Sequence, residues 1–159
     1  MLLFRRKARY TDGEIDLIPE HLGPCEADLG FGEEFDFIIV PHGERKEAGE
    51  ISVRLGESEG IYYYGHIGYH IDPPYRGHGW AEKACRLILP LLRERGKDSV
   101  VITCDPDNMA SRRTCEKLGC RLERTVPVVG WMRKKYDISA VKCRYIWETD
   151  KKEASGWKA

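Results

Sequence analysis

Hydrophobic and polar residues alternate with period two over two stretches of the chain. Ile51, Val53 and Leu55 stand between Glu50, Ser52 and Arg54, the pattern of a half-buried strand. Further on, Ile61, Tyr63, Ile67, Tyr69 and Ile71 share one face of a longer run, which predicts a strand from Ile61 to Ile71 interrupted at Gly65 and Gly68. Glycine inside a strand often marks a bulge or a close backbone approach. Residues 2–9 and Phe35 to Val40 also read as strands, with turn signals at Thr11-Asp12-Gly13 and from Gly56 to Gly60. Between Glu14 and Gly32 the pattern is ambiguous. Ile15, Leu17, Ile18 and Leu22 fit either periodicity, and Pro19 and Pro24 argue only against a long helix.

The period changes after Tyr75. Ala81, Ala84, Cys85, Ile88, Leu91 and Leu92 recur at helical spacing, so residues 79–94 read as an amphipathic helix that Pro90 should kink or shorten. Ser99 to Thr103 is a short apolar run, expected to be a strand buried on both faces. Asp107 or Asn108 can cap a helix that runs to Leu118 and ends at Gly119. Two β-like runs follow, Arg121 to Val129 and Val141 to Trp147, and Thr149 to Ala159 reads as a solvated tail. The expected organisation is one domain over residues 1–148, an α/β or α+β fold with a mixed sheet.

Composition narrows the function classes. Lysine plus arginine and aspartate plus glutamate each number 26, for a formal net charge of zero. Such a balance argues against nucleic acid as a partner, which normally demands a basic face, but it leaves room for a local positive pocket. No apolar run approaches the roughly 18 residues of a membrane span. Met1-Leu2-Leu3-Phe4 is too short for a signal-peptide core, so the protein is expected in the cytoplasm, off the membrane. Cys25, Cys85, Cys104, Cys115, Cys120 and Cys143 form no C-x-x-C pair, so neither a structural metal nor a redox motif is expected. Reduced and mostly buried thiols are the default.

The candidate chemistry lies at Arg76-Gly77-His78-Gly79-Trp80-Ala81, which follows Asp72-Pro73-Pro74-Tyr75 and opens the helix. Glycines let successive backbone N–H groups converge on an anion, and the helix N-terminus aims partial positive charge at the same point. A tight turn with a surface arginine is the plainer reading. A nucleotide-hydrolase loop would need Gly-Lys-Ser/Thr, which Gly79-Trp80-Ala81 is not. Glu82 stands where a dinucleotide fingerprint needs a third small residue.

That turn resembles the Arg/Gln-x-x-Gly-x-Gly/Ala signature of the GNAT acetyltransferase superfamily. Asn108-Met109-Ala110-Ser111 and Cys115-Glu116-Lys117-Leu118-Gly119-Cys120 resemble the second motif of that family, in the expected order. Ile67-Gly68-Tyr69, Ile71-Asp72-Pro73 and Tyr75-Arg76-Gly77 are similar to the branch that contains the ribosomal-protein N-terminal acetyltransferases. The resemblance covers residues 49–122 and hardly touches the N-terminal third. It implies a mixed, mostly antiparallel sheet flanked by helices, with a splayed strand pair holding the acyl donor. It also implies an enzyme that moves an acetyl group from acetyl-coenzyme A to a primary amine by direct transfer, without a metal. The pyrophosphate would rest on Arg76, Gly77, His78, Gly79, Trp80 and Ala81. Tyr69, His70 and Ile71 would pair with the pantetheine arm, and Asn108 would contact it from the other side.

For the proton of the amine, His66 is the first candidate, with Glu50 (through a water) and His70 as alternatives; a hydrogen-bonded residue on a sheet face is the plain reading of each. His21 and His42 read as loop residues. For the leaving thiolate the family often has a tyrosine seven residues after the asparagine, where this chain has Cys115. Cys115 could act as acid or be a core residue, and Ser111 could donate directly or hold a water. A covalent route through Cys115 or Cys104 is conceivable. Tyr62, Tyr63, Tyr64, Trp131 and Tyr136 could line an acceptor cleft, and core packing or a homodimer contact explains them equally well. Arg133-Lys134-Lys135 reads as a solvated loop or an attractor of phosphates. The expected partner is an amine-bearing small molecule or a peptide N-terminus. Two rivals stand beside the enzyme: a non-catalytic acyl-coenzyme A sensing module, and a phosphate- or nucleotide-binding domain.

Overall fold

A computed structural model describes residues 8–20 and 29–150. The strand expected over residues 2–9 and the residues Leu22, Cys25 and His21 fall largely or wholly outside that range. Eight strands form one sheet among the described residues, in the order β1-β2-β3-β4-β5-β6-β8-β7. They are β1 (Tyr10–Thr11), β2 (Ile15–Glu20), β3 (Glu34–Pro41), β4 (Gly49–Arg54), β5 (Ile67–Ile71), β6 (Ser99–Cys104), β7 (Arg121–Pro127) and β8 (Val141–Glu148). The helices are α1 (Glu59–Tyr64), α2 (Trp80–Leu87), α3 (Leu89–Glu94), α4 (Met109–Lys117) and α5 (Gly130–Lys135).

Every pairing is antiparallel except β5 with β6, which is parallel and joined at the single register pair Ile67↔Ile102. Beyond that pair the two strands part. β5 continues to pair with β4 as far as Gly49↔Ile71, and β6 continues to pair with β8 as far as Cys104↔Cys143. This fork creates the site.

The alternation in β4 is observed: Gly49, Ile51 and Val53 are buried and Glu50, Ser52 and Arg54 half-buried. Ile51, Val53 and Ile67 join Ile88, Leu91 and Leu92 of the α2–α3 segment and Ile102 of β6 in the main core. Full burial of a side chain of this size contributes about 1.5–3 kcal/mol. A smaller cluster forms around Leu29, Phe31, Ile61, Val128 and Met132.

Several expected elements are revised. The long strand from Ile61 to Ile71 is a helix followed by a short strand. Ser58 caps α1, its side chain accepting from the Ile61 amide, and Gly65 ends it at φ 76°. Capping and the burial of Gly60 and Ile61 thus override the β preference of three consecutive tyrosines. The helix expected over 79–94 breaks at Ile88, because Pro90 in the first turn of α3 lacks the amide and crowds the carbonyl four residues back. β6 is not buried on both faces: Val100, Ile102 and Cys104 are buried while Val101 and Thr103 are only half-covered. The run expected as a strand to Val129 stops at Pro127, and Arg133-Lys134-Lys135 forms the last turn of α5 rather than a loop. Glu14 to Gly32 resolves in part as β2; its Pro19 lies past the point where β1 pairs with it.

Thr149, expected to begin the tail, is fully buried. Its amide donates to the Asp98 carbonyl and its own carbonyl accepts from Arg93 Nε at 2.9 Å. Thr149 is therefore packed against the fold rather than solvated. No described helix is long and apolar enough to cross a membrane.

Candidate active site

The fork between β5 and β6 opens into a cleft of about 440 Å³. Of the ten residues expected to bind a cofactor, nine line it: Tyr69, His70, Ile71, Arg76, Gly77, Gly79, Trp80, Ala81 and Asn108. His78 does not, its ring lying 5.6 Å from that of Trp80. The free edge of β5 forms one wall, the start of α2 the floor, and α4 the other wall.

The local chain explains this shape. Pro73–Tyr75 makes a single 3-10 turn, and Arg76 donates from Nε to the Ile71 carbonyl at 2.8 Å, tying the turn back to its strand. Gly79 sits at φ 71°, a left-handed conformation that costs other residues about 1–2 kcal/mol, and no atom beyond its chain neighbours lies within 4 Å of where its Cβ would stand. No side chain caps α2, so its first amides are left open to the cleft. On the opposite wall Asn108 caps α4, accepting from the Ser111 amide at 3.1 Å. Three cations line the cleft, Arg76, Arg113 and Lys117, and no carboxylate does. In a chain of zero net charge, that segregation selects for an anion.

A second cleft of about 240 Å³ adjoins the first and shares Tyr69, Asn108 and Ser111 with it. Arg54, Tyr64, Thr103, Cys104, Asp105 and Lys142 are among its other walls. Lys142 is neutralised by Asp105 at 2.8 Å, and the partly exposed carboxyl of Asp105 is held below its ordinary value by Lys142 and Ser139 against a desolvation cost. Arg54 is fixed over Phe31 and donates to the carbonyls of Tyr64 and Gly65.

The proton-handling candidates scatter. His66 lines neither cleft. It is buried to 4 % exposure, with Nδ1 accepting from the Val101 amide at 2.9 Å and Nε2 donating to Glu57 at 2.8 Å. Both nitrogens are thus engaged, and burial pushes the ring below its ordinary value despite Glu57. Glu50 is half-buried on β4, directly opposite His70, whose Nε2 lies 3.3 Å from Asp72. Cys115 is fully buried in the main core and lines neither cleft; contact with Cys120 and burial raise its thiol well above the ordinary range. Ser111 lines both clefts, its Oγ 2.8 Å from the Tyr69 hydroxyl. Cys104 lines the second cleft, and burial pushes its thiol up to about 11. Among the aromatic candidates Tyr64 reaches the second cleft, whereas Tyr62 stacks under Arg144 and Trp131 meets Glu59 and Tyr136. His42 pairs with Asp16 at 2.8 Å.

Sequence reasoning missed Arg113 and Lys117 and, in the second cleft, Arg54, Thr103, Asp105 and Lys142. The first two were detectable: they lie four apart on a helix that the sequence predicts, and so share a face. Arg54, Thr103 and Lys142 come from three strands, and only the sheet brings them together.

Among described residues no group of three His, Cys, Asp or Glu side chains could hold a metal. The five cysteines among the described residues are free thiols.

Comparison with known proteins agrees with this geometry. The profile described as an acetyltransferase (GNAT) domain matches residues 10–121. A stretch of 58 residues is 34% identical to the uncharacterized N-acetyltransferase YnaD of Bacillus subtilis (strain 168), spanning 36% of this chain and only 34% of that one. The ribosomal-protein-S5-alanine acetyltransferase of Vibrio fischeri shares the fold, with a TM-score of 0.58 at 21% identity over 74% of this chain and 62% of its own. So does yncA of Salmonella typhimurium, solved with its cofactor acetyl-coenzyme A, at 0.56 and 20% identity over 76% and 68%. With the profile match covering most of its length and the forked sheet in place, the chain belongs to the GNAT acetyltransferase domain family.

Proposed function

We propose that the protein transfers an acetyl group from acetyl-coenzyme A to a primary amine, directly and without an acyl-enzyme. The observation that carries this reading is the larger cleft: the uncapped N-terminus of α2 opens on it, three cations line it, and no carboxylate does. Such a site suits a pyrophosphate. The amides from Arg76 to Ala81 would hold that group, and Arg113 and Lys117 would face the remaining phosphate charge. The edge of β5 turned away from β4, at Tyr69, His70 and Ile71, would receive the pantetheine amides as an added strand. The thioester would then reach the junction of the two clefts, where one β5 amide can polarise its carbonyl.

The acceptor would enter through the second cleft. With His66 locked between Glu57 and Val101, Glu50, which itself lines neither cleft but shares its sheet face with Arg54 of the second, would take the amine proton through a water, and Ser111 would face the leaving sulfur. A thiol at about 11 keeps its proton at neutral pH, which disfavours a covalent route through Cys104. Acetyl transfer by the Vibrio fischeri relative to a ribosomal protein makes a peptide N-terminus a reasonable first acceptor to try.

Calorimetric titration with acetyl-coenzyme A, with NAD and ATP as controls, tests the donor. Steady thiol release with a panel of amines and peptides then tests transfer. Micromolar binding of the acyl donor alone, with amine-dependent release, is expected. Binding without release would leave a sensing module, and no binding would remove the reading altogether.

A further inference from the structure

The leaving-group side of this reaction has no tyrosine on α4, since Cys115 stands there and is sealed in the core. A tyrosine hydroxyl nonetheless arrives at the same place from the opposite wall. Tyr69 on β5 reaches across the fork to Ser111 on α4, with its Oη 2.8 Å from Ser111 Oγ. The two residues line both clefts and bridge them. The thiols of Cys115, Cys85 and Cys104 stand close enough to act electrostatically on the Tyr69 phenol.

Proton placement in this pair follows from what surrounds it. Burial, with thiols around it, pushes the Tyr69 phenol far above its ordinary value, so it keeps its proton. That proton has one good acceptor, Ser111 Oγ; the Ser111 carbonyl is 3.5 Å away and sulfur accepts poorly. When Tyr69 donates to Ser111, the serine's own proton is left to point into the junction.

We infer that Tyr69 is a positioning residue for departure of the coenzyme A thiolate: its hydroxyl fixes Ser111 so that the Ser111 O–H meets the departing sulfur. The inference rests on the acetyltransferase reading above. As the acceptor nitrogen bonds to the acetyl carbon, the C–S bond breaks and its electron pair stays on sulfur. The proton shed by nitrogen ends on that sulfur, giving free thiol and amide. Ser111 does not surrender its proton outright, because an alkoxide is far more basic than a thiolate. It stabilises the developing charge by a hydrogen bond, and the bond from Tyr69 strengthens it by polarising the serine hydroxyl.

The test is a double-mutant cycle on thiol release from acetyl-coenzyme A with the best amine found for the wild type. Tyr69→Phe should lower kcat about 10-fold and Ser111→Ala about 100-fold, with coenzyme A affinity by calorimetry and the thermal midpoint nearly unchanged. In the Ser111→Ala background, Tyr69→Phe should cost less than about twofold. Ser111→Thr, which restores a hydroxyl, should recover both activity and sensitivity to Tyr69→Phe. Equal losses from Tyr69→Phe in both backgrounds, or a loss that tracks coenzyme A affinity or folding, would overturn the inference. So would full activity in Tyr69→Phe while the wild type turns over. Absence of release in the wild type would instead sink the acetyltransferase reading on which it depends.

Discussion

Gly79 shows how one residue shapes both the backbone and the cleft. Its positive φ turns the chain into α2, and the open space around it keeps the cleft accessible. Gly79→Ala should lower stability by about 1–2 kcal/mol through backbone strain alone and leave acetyl-coenzyme A binding detectable. Gly79→Glu adds a carboxylate to a cleft that has none, and should weaken binding at least about 100-fold in the same calorimetric titration. His66 is the opposite case, a residue of suitable chemistry spent on structure. His66→Ala strips the Val101 amide of its acceptor and should cost about 1–3 kcal/mol in urea denaturation. The shape of the kcat–pH profile should survive that change, since His66 lines neither cleft; a flattened profile would return it to the chemistry.

Two elements owe their positions to small local devices. α4 begins where the Asn108 side chain takes the Ser111 amide, so Asn108→Ala should cost about 1 kcal/mol of stability and also lower acyl-donor affinity. A variant that loses stability but binds normally would confine Asn108 to capping. The segment leading into α1 is pinned to β6 through Glu57, His66 and Val101. Burial lowers the His66 pKa in the folded state, so the unfolded chain binds the extra proton first. This contribution is therefore complete above about pH 6.5, the ordinary histidine value, and is lost as pH falls through the lowered folded value. Denaturation curves should show stability dropping between pH 7 and 5, with that drop reduced in His66→Gln. The pairing of α1 with this clasp also accounts for the missed helix: three tyrosines favour a strand locally, and the cap at Ser58 with the burial of Ile61 decides otherwise.

At the scale of the molecule, one core supports both halves of the fork. Ile51 on β4 and Ile102 on β6 are buried in the same cluster, and either truncated to alanine should cost about 2–5 kcal/mol in chemical denaturation. Conversely, acetyl-coenzyme A at about 100 times its dissociation constant should stabilise the fold by about 2.7 kcal/mol, read as a rise in thermal midpoint. The family resemblance supplies nine of the residues that line the larger cleft, and the amino-acid order alone specifies β4, the glycine turn and, at Asp107 or Asn108, a cap for α4. These depend on local periodicity, on glycine and on capping, all of which act within a few residues. The break at Ile88 is the local work of Pro90, whereas the helix at Glu59–Tyr64, the sealing of Cys115 and the locking of His66 depend on partners distant in the chain. So does the Tyr69–Ser111 bond, whose members are 42 residues apart. Only tertiary structure, by parting β5 from β6 after a single register pair, brings such side chains to one place; periodicity reports which face a residue takes, and burial and hydrogen bonding across the fold decide what it meets there.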